Sequence, residues 1–395
     1  MMRRVPLDKF CEKKIATLQK NYTGLIDYID ISSVDNTKKK IVSYQTIESK
    51  DAPSRAKQLL KNRDILVSTV RPNLNAVAMI EAETDNLMVG STGYCILRCN
   101  DDADVRYLFN FCQSPYFVDD MSSQATGASY PAVSNSIVRS SLIPSYSVEE
   151  QRKIADKLDA VSELIKLRKQ QLSKLDELVK SRFIELFGDP EANPNRWSIS
   201  KLSEFCDLQN GYAFKSDDYL TNSTVLNCRM SNIRPDGGFD ADYHPKYLPD
   251  MFWEKYKDYR LVDGDVIIAM TDMASDPKIL GVPTIVRTNG KKFLLNQRVG
   301  KLTFFDNTAI NNVYLMFVLS QQHIRQQLVK SAGGSTQINV AKPAVLGVEF
   351  FVPPMKLQEQ FAAFVEQTDK SKLAIQKSLE KLETLKKSLM QQYFG

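Results

Sequence analysis

A segment in the middle of the chain is written again at its end. Lys174–Gly188 reads KLDELVKSRFIELFG, and about 207 residues later Lys381–Gly395 reads KLETLKKSLMQQYFG. The lysine, both leucines, the Lys-Ser pair and the closing Phe-Gly coincide. At the same offset Gly93 falls on Gly300, Tyr107-Leu108 on Tyr314-Leu315, and Gly127 on Gly334. Near the two starts the offset is 195, which places Leu7, Phe10 and Cys11 on Leu202, Phe205 and Cys206. A two-residue slip then pairs Pro144 with Pro353 and Glu150-Gln151 with Glu359-Gln360. Each unit is long enough for its own core. The chain is therefore expected to be two similar globular units, each followed by a rod, that touch a target at two places a fixed distance apart.

The rods are read from heptad spacing. In the first, Ile154, Leu158, Val161, Ile165, Leu172, Leu175, Val179 and Leu186 alternate by four and three, with Arg168 interrupting. In the second, Phe361, Val365, Thr368, Ile375, Leu379, Leu382 and Leu389 do the same, with Lys372 and Lys386 interrupting. Such seams mark helices packed along their length. Ser147 before Glu149 and Glu150 supplies an N-cap and an acidic first turn. Gly188 closes the first rod, and Asp189-Pro190 prevents its continuation. One apolar stripe needs a partner; the second rod is the expected one, in an antiparallel coiled coil, with a homodimer as the alternative. The boundaries that follow are globular units at 1–146 and 198–352, long helices at 147–187 and 353–395, and a linker at 188–197.

The fold class expected is α+β. Short runs rich in Val, Ile and Thr, such as Asp64–Val70, Tyr94–Arg98, Asp265–Met270 and Leu302–Phe305, read as strands bounded by turn formers. Val105–Phe111 and Val313–Leu328 read as helices. Each unit is thus mixed, with a mainly β core.

Composition excludes several classes. Hydrophobic residues at 43% and charged residues at 25% suit a globular protein. No apolar run approaches the ~20 residues of a membrane span. The start, MMRRVPLDKF, is basic but has no apolar segment behind it, so no secretory leader is expected. The six cysteines form no CxxC pair, which fits a reduced, cytoplasmic setting without structural zinc. The net charge of +5 is mild and locates no basic face. There is no GxxxxGK[ST] phosphate loop, no GxGxxG and no Asn-Pro-Pro-aromatic motif. His244 and His323 have no evident carboxylate partner. Cys95 with Cys99, and Asp272 with Asp276, lack further metal ligands. The chain reads as a recogniser without catalytic machinery, and no metal or cofactor of its own is expected.

These features resemble the specificity subunit of type I restriction–modification systems over essentially the whole chain. The carriers are the duplicated domain-plus-helix units and the rod starts at Pro144…Glu150-Gln151 and Pro353…Glu359-Gln360. The rod ends, Phe187-Gly188-Asp189-Pro190 and Tyr393-Phe394-Gly395, also fit. Within the globular units, VSTVRPNL (67–74), ATGASYPAV (125–133), GGSTQINV (333–340) and NQRVG (296–300) are similar to that family's target recognition domains. The resemblance implies that each globular unit reads one half of a bipartite double-stranded DNA site. The helices would set the spacer and dock two methyltransferase subunits. In such systems added motor-nuclease subunits give the restriction enzyme, and S-adenosylmethionine, ATP and magnesium would belong to the partner subunits. A coiled-coil scaffold with two protein-binding heads is the competing reading.

Base reading needs polar side chains in the major groove, where each pair has its own donor and acceptor pattern. The candidates in the first unit are Ser68, Thr69, Arg71, Asn73, Thr126, Ser129 and Tyr130. In the second they are Asn210, Tyr212, Lys215, Arg229, Asn232, Gln297, Arg298, Ser335, Thr336 and Gln337. Lys215, Lys291 and Lys292 are expected on phosphates. Gly127 and Gly334 are expected to serve tight turns.

Overall fold

The computed structural model describes residues 3–81, 84–305 and 310–395. The chain forms two compact units that do not follow chain order. One comprises Met1–Leu172 with Ala374–Gly395, and the other is Ser173–Leu373. Each long helix, Val148–Phe187 and Met355–Phe394, is therefore shared between the units.

In the first unit a four-stranded sheet has the spatial order Gln45–Glu48, Leu25–Ile29, Leu87–Ser91, Ala56–Leu59. Leu25–Ile29 runs parallel to Leu87–Ser91. A second, antiparallel sheet joins Tyr94–Leu97, Ile65–Ser68 and Val77–Met79. All four residues of Ile65–Ser68 are buried, so the strand shows no alternation. The second unit repeats the plan. Tyr247–Leu248, Val225–Cys228, Lys292–Leu295 and Arg260–Leu261 form one sheet, with the central pair again parallel. Cys206–Asn210, Val299–Phe304, Val266–Ala269 and Pro283–Ile285 form the other. The expected strands fall in these sheets, and Val105–Phe111 is a helix. Val313–Leu328 is not one helix but parts of two, Asn312–Leu319 and Gln322–Ser331. The break turns Ile324 and Leu328 into the core. The first unit breaks at the same place, and there Pro115 makes the new start visible in the sequence.

Hydrogen bonds repeat with the letters. Tyr107 Oη donates to Pro144 O at 2.8 Å, and Tyr314 Oη donates to Phe351 O at 2.6 Å. Asp104 and Asn311 cap equivalent helices by accepting from two backbone amides each. The buried Gln151 accepts from Asp104 N (2.9 Å) and donates to Tyr146 O (3.1 Å). Gln358, also buried, accepts from Asn311 N (2.8 Å) and donates to Pro353 O (2.7 Å). Gln151 therefore matches Gln358, and the expected slip to Gln360 does not occur. What repeats is a buried amide that satisfies two backbone groups, while the Glu-Gln letters that invite the slip do not share one position.

Ser147 and Glu150 form a reciprocal capping box at the start of the first long helix. Gly188, at φ +83°, ends it, donating its N–H to Ile184 O at 2.8 Å. In the first unit Ile154, Ala155 and Leu158 share a core with Met390 and Phe394. The Phe394 ring lies 5.3 Å from Tyr107 and 5.6 Å from Phe111. In the second unit Phe183 and Phe187 share a core with Phe361. The Phe187 ring lies 5.1 Å from Tyr314. Lys169 pairs with Glu383 at 3.2 Å in the first unit, and Lys372 with Asp176 at 2.6 Å in the second. The seam breaker Lys372 is thus a paired charge. Lys386 is half-buried, and burial lowers its pKa.

Each helix starts on the globular part that precedes it and ends in the core of the other. Phe394→Ala should therefore destabilise the first unit by about 3–5 kcal/mol, and Phe187→Ala the second by a similar amount. Urea unfolding reads this; a loss below about 1 kcal/mol would mean that these rings close no core.

Candidate nucleic-acid interface

In the first unit two loops are sewn together by backbone hydrogen bonds. Val133 N donates to Thr69 O at 2.9 Å, and Arg71 N donates to Pro131 O at 2.7 Å. Thr126 and Ala132 exchange both backbone bonds, at 3.0 and 2.9 Å, and so pinch off the intervening loop. Gly127 turns it at φ +105°, where a Cβ would lie 2.9 Å from Tyr130 O. Arg71 sits in the left-handed region at φ 50°, ψ 59°, before the turn Pro72–Leu74. Arg71, Asn73, Thr126, Ser129 and Tyr130 are exposed on this loop pair. The Arg71 guanidinium lies 4.7 Å over the Tyr130 ring. Ser68 and Thr69 do not join them. Both are buried, with Ser68 Oγ donating to Val70 O at 3.0 Å and Thr69 Oγ1 to Gly93 O at 2.9 Å.

The second unit makes the same clamp and extends it. Gly333 and Asn339 exchange backbone bonds at 3.0 and 2.9 Å, and Val340 N donates to Met270 O at 2.9 Å. Met270 N in turn donates to Arg298 O at 2.9 Å, and Gln297 N donates to Tyr212 O at 3.0 Å. One ladder thus gathers Asn210, Tyr212, Gln297, Arg298, Ser335, Thr336 and Gln337. Tyr212 and Gln337 are half-buried and the rest exposed. Gly211 makes the approach feasible, since a Cβ there would lie 2.1 Å from Asn296 O. The Tyr212 ring is wedged 4.4 Å from Tyr256 and 5.1 Å from Phe214.

The remaining candidates are dispersed. Lys215 is exposed beyond the same loop. Arg229 is half-buried beside Asn296, whose N–H donates to Cys228 O at 3.1 Å. Asn232 is buried, accepting from Arg229 N at 2.8 Å and donating to Asp240 O at 2.8 Å. It repeats Ser33, which accepts from Asp30 N at 3.1 Å. Lys291 and Lys292 stand at the start of Lys292–Leu295, the end opposite Gln297. Lys291 pairs with Asp242, and Lys292 lies 5.6 Å over Trp253.

Two groups escape the sequence reading. The hairpin around Val34–Ile41 reaches the first loop pair through Lys39 Nζ, which donates to Asn75 O (2.5 Å) and Asn75 Oδ1 (2.7 Å). Burial, and then the nearby Lys386 ammonium, pushes Lys39 down to about 8. In the second unit Arg234 lies 4.7 Å over Tyr243. Only the position after the first parallel strand could have flagged either, because no letters repeat there.

Among the described residues no three His, Cys, Asp or Glu side chains are placed to hold a metal ion. Asp272 is committed to the backbone N–H groups of Ile279 and Leu280. The six cysteines are free thiols, and burial pushes them up, Cys95 to about 11. Among the described residues no helix is long and apolar enough to cross a membrane.

Residues 6–177 and 194–387 each match the family model of the type I restriction modification DNA specificity domain. The chain belongs to this family. It is 26% identical over 285 residues to the type I restriction enzyme MjaVIII specificity subunit of Methanocaldococcus jannaschii, covering 68% of this chain and 65% of that one. It is 24% identical over 209 residues to the HindI specificity subunit of Haemophilus influenzae, covering 50% and 44%. The match thus spans less than two thirds of either relative's length. Among solved structures it is similar to a chain from work described as "Structural basis underlying complex assembly and conformational transition of the type I R-M system". There the TM-score is 0.61 at 25% identity, over 99% of this chain and 97% of that one. The type I S subunit from M. genitalium shares the fold, with a TM-score of 0.58 at 15% identity over 100% and 96%.

Both specificity domains present their loops through a clamp that turns on one glycine. Gly334 has φ +132°, and a Cβ there would fall 1.9 Å from Gln337 O, whereas at Gly333 it would meet nothing within 4 Å. Gly334→Ala should cost the second domain about 1–3 kcal/mol, and Gly333→Ala under about 1 kcal/mol. Thermal unfolding of the two variants compares them directly, and equal losses would contradict the clamp.

Proposed function

We propose that this chain is the DNA-recognition subunit of a type I restriction–modification complex. Each specificity domain reads one half of a bipartite double-stranded site. The observation that carries this reading is the pair of loop clamps, one in each of two matches to the specificity family. Both clamps expose Arg, Asn, Gln, Ser or Thr, the side chains that meet base edges in the major groove. The loop side chains differ between the domains, so the site is asymmetric.

The two long helices run as an antiparallel coiled coil, fix the gap between the half-sites and dock two methyltransferase subunits. Support for the antiparallel sense comes from the contacts within each unit. Ile154 and Leu158 share a core with Met390 and Phe394, Lys169 pairs with Glu383, and Asp176 with Lys372. One number rises as the other falls. The chain itself is not catalytic. Partner subunits, with motor-nuclease subunits among them where restriction occurs, supply the methyl transfer and cleavage, with S-adenosylmethionine, ATP and magnesium.

Co-expression with a modification subunit of the same genome, followed by mapping of N6-methyladenine in the host DNA, tests the reading. The expected result is an asymmetric motif in two parts with one constant gap. A stable complex that leaves no split motif would overturn it and favour a two-headed scaffold.

A further inference from the structure

We propose that Arg71 and Arg234 are the guanine-reading side chains of the first and second specificity domains. The inference rests on the DNA-recognition reading above and goes on to name residue and base.

Among the described residues five arginines stack on an aromatic ring: Arg4, Arg71, Arg182, Arg234 and Arg260. Three of them have other duties. Arg182 holds Glu185, Arg260 holds Glu254, and Arg4 donates to the carbonyls of Phe394 and Gly395. Arg71 and Arg234 hold no carboxylate or carbonyl with the guanidinium among the described residues. There is one such arginine in each unit. Each lies 4.7 Å from the ring of an exposed tyrosine, Tyr130 at 68% exposure and Tyr243 at 41%. The ring fixes the plane of the fork without burying it. The donors stay open, and the side-chain entropy lost on forming a bidentate contact is reduced in advance.

Both arginines are held by strained or closed backbone. Arg71 is itself left-handed at φ 50°, and its N–H is anchored on Pro131 O. Arg234 closes a tight turn, with its N–H on Gly238 O and its carbonyl accepting from Gly237 N, both at 2.9 Å. Left-handed His244, at φ 44°, backs Tyr243 with a ring-to-ring distance of 4.4 Å. The Arg234 turn belongs with the loop ladder. A Cβ at Gly237 would lie 3.3 Å from Pro283 O, and Pro283 pairs with Ile268, two residues before Met270. Strain kept on exposed polar loops is a mark of functional positions.

The two arginines occupy different loops. The clamp equates Thr69 with Met270, so Arg71 matches Asp272, whose carboxylate is turned onto Ile279 N and Leu280 N. The turns capped by Ser33 and Asn232 equate Asp35 with Arg234, and Asp35 accepts from Thr37 N and Lys38 N, both at 2.9 Å. Where one domain carries a free fork, the other carries an aspartate bound to its own backbone. A guanidinium fork matches guanine O6 and N7, so each half-site contains a guanine, read from a different loop.

The test is competition binding by the complex with its methyltransferase subunits. The duplexes carry the mapped site, or that site with one guanine pair replaced at a time. The proteins are wild type, Arg71→Lys and Arg234→Lys, which keep the charge and lose the fork. Arg71→Lys should lower the preference for guanine by roughly 5- to 150-fold at one position in one half-site. Arg234→Lys should do the same at one position in the other half. Unchanged guanine preferences, or equal weakening on every duplex as a phosphate contact gives, would overturn the inference. If Arg71→Lys lowers the melting temperature, Tyr130→Ala keeps the arginine and should give a smaller loss at the same position; a loss elsewhere counts against it. Wild type showing no sequence preference would sink the recognition reading itself, and this inference with it.

Discussion

The structure depends on two phenylalanines that end two helices. Phe187 and Phe394 are fully buried, and each fills the core beneath the helix that carries Tyr314 or Tyr107. Those tyrosines in turn hold the strands from which the long helices spring, through Phe351 O and Pro144 O. Neither globular part completes its core from its own stretch of sequence. The first needs the last turns of the chain, and the second needs the end of the helix that follows the first. Joining the units in this way makes the helices part of both cores and not tethers between finished domains.

In both units the framework and the loop side chains separate by burial. The clamp at Thr69 or Met270, the caps at Asp104 or Asn311 and the amides of Gln151 or Gln358 satisfy buried backbone groups. The two units solve these requirements in the same way. The side chains beside the clamps do not follow this shared plan, and there the units differ. Arg71 stands where the second unit has Asp272, and Tyr130 where it has Gln337. A shared scaffold with unlike tips is what the proposed recognition of two unlike half-sites requires.

The sequence made the plan legible because duplication, heptads and fully apolar strand runs are strong signals. Helix Val105–Phe111 and the N-cap at Ser147 could be read directly. Tertiary pairing could not. Nothing local shows that Phe394 belongs to the first unit, or that Gln151 matches Gln358 rather than Gln360. The break between Leu319 and Gln322 has no proline to mark it. Polar residues beside a loop motif read alike whether they face in or out. Ser68, Thr69 and Asn232 face in, and Arg71, Gln297 and Arg298 face out. Lys291 and Lys292 are near the loop residues in sequence, but a strand of four residues carries them to its other end. Arg234 is not legible in the sequence because its loop has no counterpart motif.

In the proposed function the paired helices set the gap between the two half-sites. One heptad inserted into each long helix at matched positions adds about 10 Å of rod, equal to about three base pairs of B-DNA, while preserving the seam. Methylation mapping should then return both half-sites unchanged with a longer gap. The original gap with both half-sites retained would contradict the account.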